Sequence, residues 1–374
     1  MEQPLDNQSI WYPIRNVEEI DSPALVVYPV RIRENIRRLK SMVNSVESLR
    51  PHVKTHKMAE VSRLLLEAGI RKFKCATIAE AEMLAQAGAP DVLLAYQPVG
   101  PKIRRLVALI QAFPDTRFSC LIDHIEAAMG ISMAFEGQTP LPVFIDLNVG
   151  MNRTGISPGG EALDLYIACE KLPGIRPIGL HAYDGHIRDT DLSQRKAACD
   201  RAFEPVAALA TKIAELGRPT PAVVVGGSPT FPVHAQRKGV ECSPGTFIFW
   251  DWRYSHLLPE QPFLFAALVV TRVISVIDEQ TLCLDLGHKS VAAENPLPRV
   301  KFLNAPEAEP LSQSEEHMVV KVPSSELYSI GDVFYGLPVH ICPTCALYEQ
   351  AQVVENKRAD TTWRVVARDR SIQF

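Results

Sequence analysis

The stretch L-R-P-H-V-K-T-H-K (Leu49–Lys57) sets Arg50, His52, Lys54 and His56 at every second position. On a strand, alternate side chains share a face, so these four polar groups would lie together. A surface strand with its charged side to water has that pattern, and so does a barrel strand whose polar face lines a reaction site. A lysine inside a barrel is costly as a lone charge. It becomes useful when its amine condenses with a carbonyl carbon. Parallel barrels carry their chemistry at the C-terminal ends of strands, where Lys54 would fall. Lys57, of opposite parity and beyond the strand, is the weaker candidate.

Two turns have the composition of a phosphate cradle. G-G-S-P-T supplies Gly226, Gly227, Ser228 and Thr230, and S-P-G-T supplies Gly245 and Thr246. Backbone N–H groups and small hydroxyls in such turns can hold a phosphate, although glycine turns also occur simply as turns. Beside a carbonyl-condensing lysine they point to pyridoxal phosphate. In N-V-G-M-N-R-T-G, Arg153 either reaches a phenolate oxygen on a cofactor or sits on a surface loop. In H-A-Y-D-G-H, Tyr183 either faces a cofactor ring, with His181 of the same parity behind it, or is a core tyrosine.

The segment P-V-H-I-C-P-T-C places His340 and Cys342 two apart, which on extended backbone lets both reach one metal ion. Imidazole with sulfur suits zinc or another late divalent metal. Cys345 or a remote residue would be a third ligand, and a buried His and Cys without metal fits the spacing as well. A Cys342–Cys345 redox pair lacks the expected βαβ setting.

These residues need elements to position them. Short apolar runs recur at Ala24–Tyr28, Arg50–Thr55, Phe73–Thr77, Val92–Tyr96, Phe118–Ile122, Val143–Leu147, Ile178–Tyr183 and Ala222–Gly226. Segments with helical spacing separate them, such as A-E-V-S-R-L-L-L-E-A-G, which ends in a glycine suited to a helix C-terminus. Eight βα units predict an α/β fold with a TIM-like (β/α)8 barrel over residues 22–249, although a doubly wound sheet also alternates in this way. After Gly245 the pattern turns β-rich, predicting a mainly antiparallel domain over 250–374, with 1–21 packing on it. Leu303–Glu316 reads as a surface loop.

Composition narrows the function classes. A hydrophobic share of 47% and a charged share of 22% describe an ordinary globular chain of 374 residues. The net charge of -4 offers no basic footprint for nucleic acid and no polybasic membrane patch. The longest apolar run, Phe263–Ile277, is interrupted by Arg272 and too short to span a bilayer. With no signal-peptide pattern, the expected location is the cytoplasm, where eight mostly scattered cysteines read as buried thiols.

Taken in order, R-P-H-V-K-T-H-K, N-V-G-M-N-R-T-G, H-A-Y-D-G-H, G-G-S-P-T-F-P, S-P-G-T-F-I-F-W-D, L-D-L-G-H-K-S-V-A-A-E-N-P and P-V-H-I-C-P-T resemble the D-threonine aldolase and D-serine dehydratase family. That family is built on the alanine-racemase type of pyridoxal phosphate fold, and the resemblance runs from Asp21 to the C-terminus. It implies that Lys54 forms the internal aldimine, that Arg153 contacts the phenolate oxygen and that Tyr183 lies at the pyridine ring. Gly226, Gly227, Ser228, Thr230, Gly245 and Thr246 fall in its phosphate-binding segments. His340 and Cys342 match its pair of ligands for a divalent metal (Mn, Mg or Zn). It also implies a homodimer and a small-molecule D-amino acid substrate.

The reaction implied is retro-aldol cleavage of a D-β-hydroxy-α-amino acid to glycine and an aldehyde. The β-hydroxyl proton would go to a metal-bound water or to a histidine such as His52 or His56. The same parts, with the α-proton leaving first, give the alternative, a dehydratase forming a keto acid and ammonia. An amino-acid racemase is the next rival and would need a second acid–base group on the other face of the cofactor.

Overall fold

The computed structural model describes residues 5–374. The chain forms two compact units, each assembled from separate segments. One holds Lys40–Lys54, Ala59–Gly245 and Asp369–Phe374; the other holds the chain up to Leu39, Thr55–Met58 and Thr246–Arg368. No helix among the described residues is long and apolar enough to cross a membrane.

In chain order the first strand, β1 (Ala24–Val27), belongs to the second of these units. The strands that follow build the first: β2 (Lys72–Cys75), β3 (Asp91–Leu94), β4 (Arg117–Ile122), β5 (Leu141–Leu147), β6 (Ile175–Ala182), β7 (Ala222–Val225) and β8 (Val240–Cys242). They lie side by side in that order and all run parallel. Leu49–His52 closes the cylinder, with Leu49 bridging Cys242 of β8 and His52 bridging Lys74 of β2. Arg50 N donates to Cys242 O at 2.8 Å, and Lys74 N to Pro51 O at 2.9 Å.

Helices fill the returns: α2 (Ala59–Glu67), α3 (Ile78–Gln86), α4 (Pro101–Ala112), α5 (Ile125–Ala134), α6 (Gly160–Glu170), α7 (Leu192–Glu215) and α8 (Phe231–His234), after α1 (Pro29–Ser41). Their starts are written in the sequence. Thr77 accepts from Glu80 N, while Glu80 reaches back to Ala76 N, satisfying two otherwise orphaned donors. Gly69 ends the α2 segment at φ +89°, as expected of a C-terminal glycine. Leu93, Leu121, Phe144 and Val224, from four strands, form one buried apolar cluster.

The other unit is a nine-stranded sheet. Its later strands are β9 (Ala267–Asp278), β10 (Thr281–Leu284), β11 (Val300–Phe302), β12 (Glu309–Gln313), β13 (Met318–Lys321), β14 (Val333–Pro338), β15 (Gln350–Glu355) and β16 (Arg358–Arg364). The order is β12-β13-β10-β9-β1-β15-β16, with β14 pairing β9 and β11. All pairings are antiparallel except β1 on β15. Val269, Val273, Leu284, Phe302, Met318 and Phe334 are among its buried core. Tyr12 Oη donates to Leu303 O at 3.2 Å within this unit.

The (β/α)8 reading holds with its staves moved along by one, and three boundaries are corrected. Ala24–Val27 is buried on both faces, as a barrel stave would be, yet it pairs with β9 and β15. An unbroken apolar run cannot distinguish the two settings. The expected barrel start at 22 therefore gives way to Lys40, while the expected end at 249 lies near the observed Gly245. The missing stave is β8, three residues long and too short to read. Arg50–Thr55 is not a full strand, because Val53–Thr55 turns into a 3-10 helix. Leu303–Glu316, expected as loop, contains β12.

Candidate active site

The four alternating polar residues have three different fates. Arg50 is buried at the start of its stave, with Nη1 2.5 Å from Asp91 and Nε 2.6 Å from Glu241. Burial draws its guanidinium down, but Glu241 and Asp91 outweigh it and hold it above the usual value. His52 and Lys54 line a cavity of about 690 Å³ in the barrel unit. His56 belongs to the other unit and is buried. Burial pulls its imidazole down to about 3, and its Nδ1 accepts from Met58 N. His52 and Lys54 thus reach one cavity although strand alternation ends at Val53, where the backbone leaves extended geometry.

Around that cavity the parallel strands deliver the rest. Lys54 Nζ lies 5.9 Å from the centre of the Tyr183 ring, and Arg153 Cζ lies 5.1 Å from it. Tyr183 follows β6, and Arg153 sits on the loop after β5. A Cβ on Gly185 would stand 2.2 Å from the Tyr183 hydroxyl oxygen, and one on Gly227 would stand 3.0 Å from its ring edge. Two glycines therefore seat the ring, and one of them belongs to the G-G-S-P-T turn.

That turn is shaped from below. Gly226 has φ +74°, a conformation that favours glycine. Gly227 N reaches Thr230 Oγ1 at 3.3 Å, and Thr230 Oγ1 donates to Asp184 Oδ1 at 2.7 Å. Asp184 Oδ2 also accepts from His234 Nε2 at 2.9 Å, with Cys199 Sγ 3.2 Å from the same nitrogen. Burial pushes the Asp184 carboxyl up, but His234 and Thr230 outweigh it and hold it below its usual value. Among the described residues, Asp184, Cys199 and His234 are the one group of three potential metal donors within 4.8 Å of one another. Gly245 N approaches Ser228 Oγ at 3.4 Å. Thr246 belongs to the other unit, its Oγ1 3.6 Å from Cys342 Sγ.

Sequence reasoning missed several residues lining the cavity: Lys74, Gln97, Asp123 and Arg370. Lys74 was legible in principle. It stands between Phe73 and Cys75 on a barrel strand, a charge on the face opposite two apolar neighbours. Arg370 comes from the C-terminal segment, for which spacing gives no signal.

The expected metal pair lies in the other unit. His340 sits at the N-cap position of α9 (Ile341–Cys345), so Cys342 is on a helical turn instead of the extended segment expected. The two side chains still meet, since the Cys342 sulfur is hydrogen-bonded to the His340 imidazole. His340 Nδ1 lies 2.5 Å from Glu294 Oε1. Burial pulls that imidazole down, but Cys342, Glu294 and Asp251 outweigh it and raise it to about 9. Imidazole and thiol in contact, with a carboxylate on the ring's Nδ1, fit a divalent metal and its outer shell. Cys345 turns elsewhere, buried with its thiol on His56 O at 3.3 Å. No disulfide joins the eight cysteines.

The alanine racemase N-terminal domain model matches residues 29–251. The chain belongs to that family. A putative serine dehydratase domain model matches residues 266–354, the remainder of this alanine-racemase-like fold. The chain is 28% identical to a D-threonine aldolase of Arthrobacter over 357 residues, 93% of each protein. Its identity with a D-threo-3-hydroxyaspartate dehydratase of Delftia is 30%, over 62% of each. The solved D-threonine aldolase of Filomicrobium marinum superposes with a TM-score of 0.85 at 26% identity, over 93% of this chain and 95% of that one.

Proposed function

We propose that this chain is a lyase dependent on pyridoxal phosphate and a divalent metal, cleaving D-β-hydroxy-α-amino acids of the D-threonine kind to glycine and an aldehyde. The meeting of Lys54, Arg153 and Tyr183 in one cavity, against a glycine turn braced by Asp184, carries the reading. Lys54 would be the amine that holds the cofactor through its aldehyde. Arg153 would serve the phenolate oxygen, Tyr183 would back the ring, and the turn Gly226–Thr230 with Gly245 would hold the phosphate. The cofactor supplies an electron sink for the pair left on Cα.

His340 and Cys342 would hold the metal, which lowers the pKa of a hydroxyl bound to it. Of the two histidines offered as base, His52 keeps the role, because it lines the cavity and His56 does not. Full-length likeness to an aldolase supports carbon–carbon cleavage. The second reading, a dehydratase, is favoured by the partial likeness to a 3-hydroxyaspartate dehydratase.

Product analysis separates them. The pure protein is incubated with D-threonine, pyridoxal phosphate and Mn or Zn. Glycine with acetaldehyde is expected; ammonia with 2-oxobutyrate would make the chain a dehydratase, and turnover to L-allo-threonine alone would make it a racemase-type epimerase. We further infer a cytoplasmic homodimer. A fully active monomer in sedimentation would refute the dimer, and retrieval of the protein from a secreted or periplasmic fraction would refute the location.

A further inference from the structure

The cavity contains a second amine that the proposed reaction leaves unused. Lys74 on β2 is 3% exposed, and its Nζ lies 3.4 Å from His181 Nε2. It also lies 5.8 Å from the centre of the Tyr183 ring, against 5.9 Å for Lys54 Nζ. Two amines from different staves therefore border one ring. His181 Nδ1 donates to Asp146 Oδ1 at 2.7 Å, which leaves a lone pair on Nε2 facing Lys74. The other Asp146 oxygen accepts from Gln97 Nε2 at 2.9 Å, and that amide also reaches Asp123 at 2.9 Å. The row ends on the Lys74 amine, which opens to the cavity.

Arg50, on the neighbouring stave, shows what a structural buried cation looks like in this barrel. It is locked between the carboxylates of Asp91 and Glu241. Lys74 has an imidazole as its hydrogen-bond partner instead. A carboxylate-paired cation is fixed in charge, whereas an amine against a neutral imidazole can give up and regain a proton.

We propose that Lys74 is the acid–base group that exchanges a proton with the substrate's α-carbon, with His181 and Asp146 as its positioning residues; this rests on the lyase reading above. When Cα–Cβ breaks, the electron pair stays on Cα. An N–H bond of the Lys74 ammonium breaks, a C–H bond forms at Cα, and glycine results. The proton lost from the β-hydroxyl then returns to the amine through solvent, so none is consumed overall.

The charges around Lys74 suit that duty. Burial first, then the Lys54 ammonium, draw its amine down to about 7, against the pull of Asp146 and Asp184 and with Arg50 adding to the descent. Burial and then Lys74 also keep His181 below its usual value, against Asp146. An amine balanced near neutrality holds both protonation states in working proportion.

The test uses the holoenzyme and glycine in heavy water, followed by proton NMR. The parent enzyme should replace one α-hydrogen by deuterium. Lys74→Met should slow that exchange roughly 100-fold or more, while the cofactor's yellow absorbance persists and borohydride still fixes it to the Lys54 peptide. Should Lys74→Met fail to fold, Lys74→Gln carries the same test. A readout without cofactor is competitive acetylation of the apoprotein across pH, mapped by mass spectrometry. Lys74 should titrate near neutrality, and Asp146→Asn should move its midpoint down, because one facing anion is gone.

Unchanged exchange in a Lys74 variant that binds cofactor overturns the proposal, as does an ordinary lysine midpoint in the apoprotein. A parent protein that binds cofactor, cleaves D-threonine and fails only these two readouts sinks this inference alone. A parent that does not bind cofactor or cleave D-threonine sinks the lyase reading, and this proposal with it.

Discussion

Gly185 lies so close beneath Tyr183 that a Cβ on it would meet the phenol oxygen at 2.2 Å. The ring that gathers Lys54, Lys74 and Arg153 is thus positioned by the absence of a side chain two residues later. Gly185→Ala must displace the ring. Cofactor affinity should fall by roughly tenfold, the scale of about 1.4 kcal/mol of overpacking, read by titrating apoprotein with pyridoxal phosphate. Unchanged affinity would mean that Tyr183 does not shape the pocket.

Asp184 braces the Gly226–Thr230 turn through Thr230. Asp184→Asn keeps the size of the side chain but weakens its bonds to Thr230 and His234. We expect a cofactor dissociation constant raised roughly tenfold, from a charged-to-neutral hydrogen-bond loss of about 1–2 kcal/mol. Zinc content is measured on the same samples. Stoichiometric zinc in the parent and none in the variant would show that Asp184, Cys199 and His234 hold metal instead of bracing a turn.

Arg50 shares the polar alternation of the sequence but is locked between two carboxylates in the fold. Arg50→Ala leaves Asp91 and Glu241 facing each other across a buried gap. It should cost about 3 kcal/mol of stability, seen as a lower denaturant midpoint. Its kcat per folded molecule should stay near the parent's; a large loss there would give Arg50 a part in the reaction.

Lys54→Ala and His340→Ala should separate two roles. The first should abolish the cofactor's yellow absorbance. The second should leave that absorbance intact, lower D-threonine cleavage by roughly 100-fold and remove metal by elemental analysis. If His340→Ala instead unfolds the chain, the metal site is structural.

Stability should record the Lys74 amine as well. Its native value of about 7 lies below that of an ordinary lysine. Above about 7 and below about 10.4 the unfolded chain binds a proton that the native chain has released, so stability rises with pH across that window. Apo Lys74→Met should exceed the parent in stability by most below about pH 7, with the gap closing toward pH 10. A gap independent of pH would mean that Lys74 stays charged in the native state.

Much of the barrel was legible because six of its strands are apolar runs spaced by helices with readable caps, as at Thr77 and Glu80. The two errors in register have one cause. Ala24–Val27 carries an apolar run with no polarity to say which sheet it joins, and Val240–Cys242 is too short to show any period. Of the residues lining the candidate cavity, Lys54, Arg153 and Tyr183 could be singled out by residue type. Lys74 could not be weighed until its neighbours were known, because a buried lysine is meaningful only through what faces it. His56 failed as a candidate for a local reason: the 3-10 turn at Val53–Thr55 ended the alternation that had linked it to Lys54.

The pairing of β1 has a consequence for how this chain comes off the ribosome. Ala24 faces Val270, and Val26 faces both Leu268 and Gln352. Leu49 likewise waits for Cys242. The first strand of the nine-stranded sheet is therefore completed only by strands made much later, β9 and β15, so this sheet cannot finish forming until synthesis is nearly over. Such distant pairings make folding slow and leave apolar edges uncovered in the interval. The nascent protein should lean on chaperones, and no single cut of the gene yields two independently folding halves.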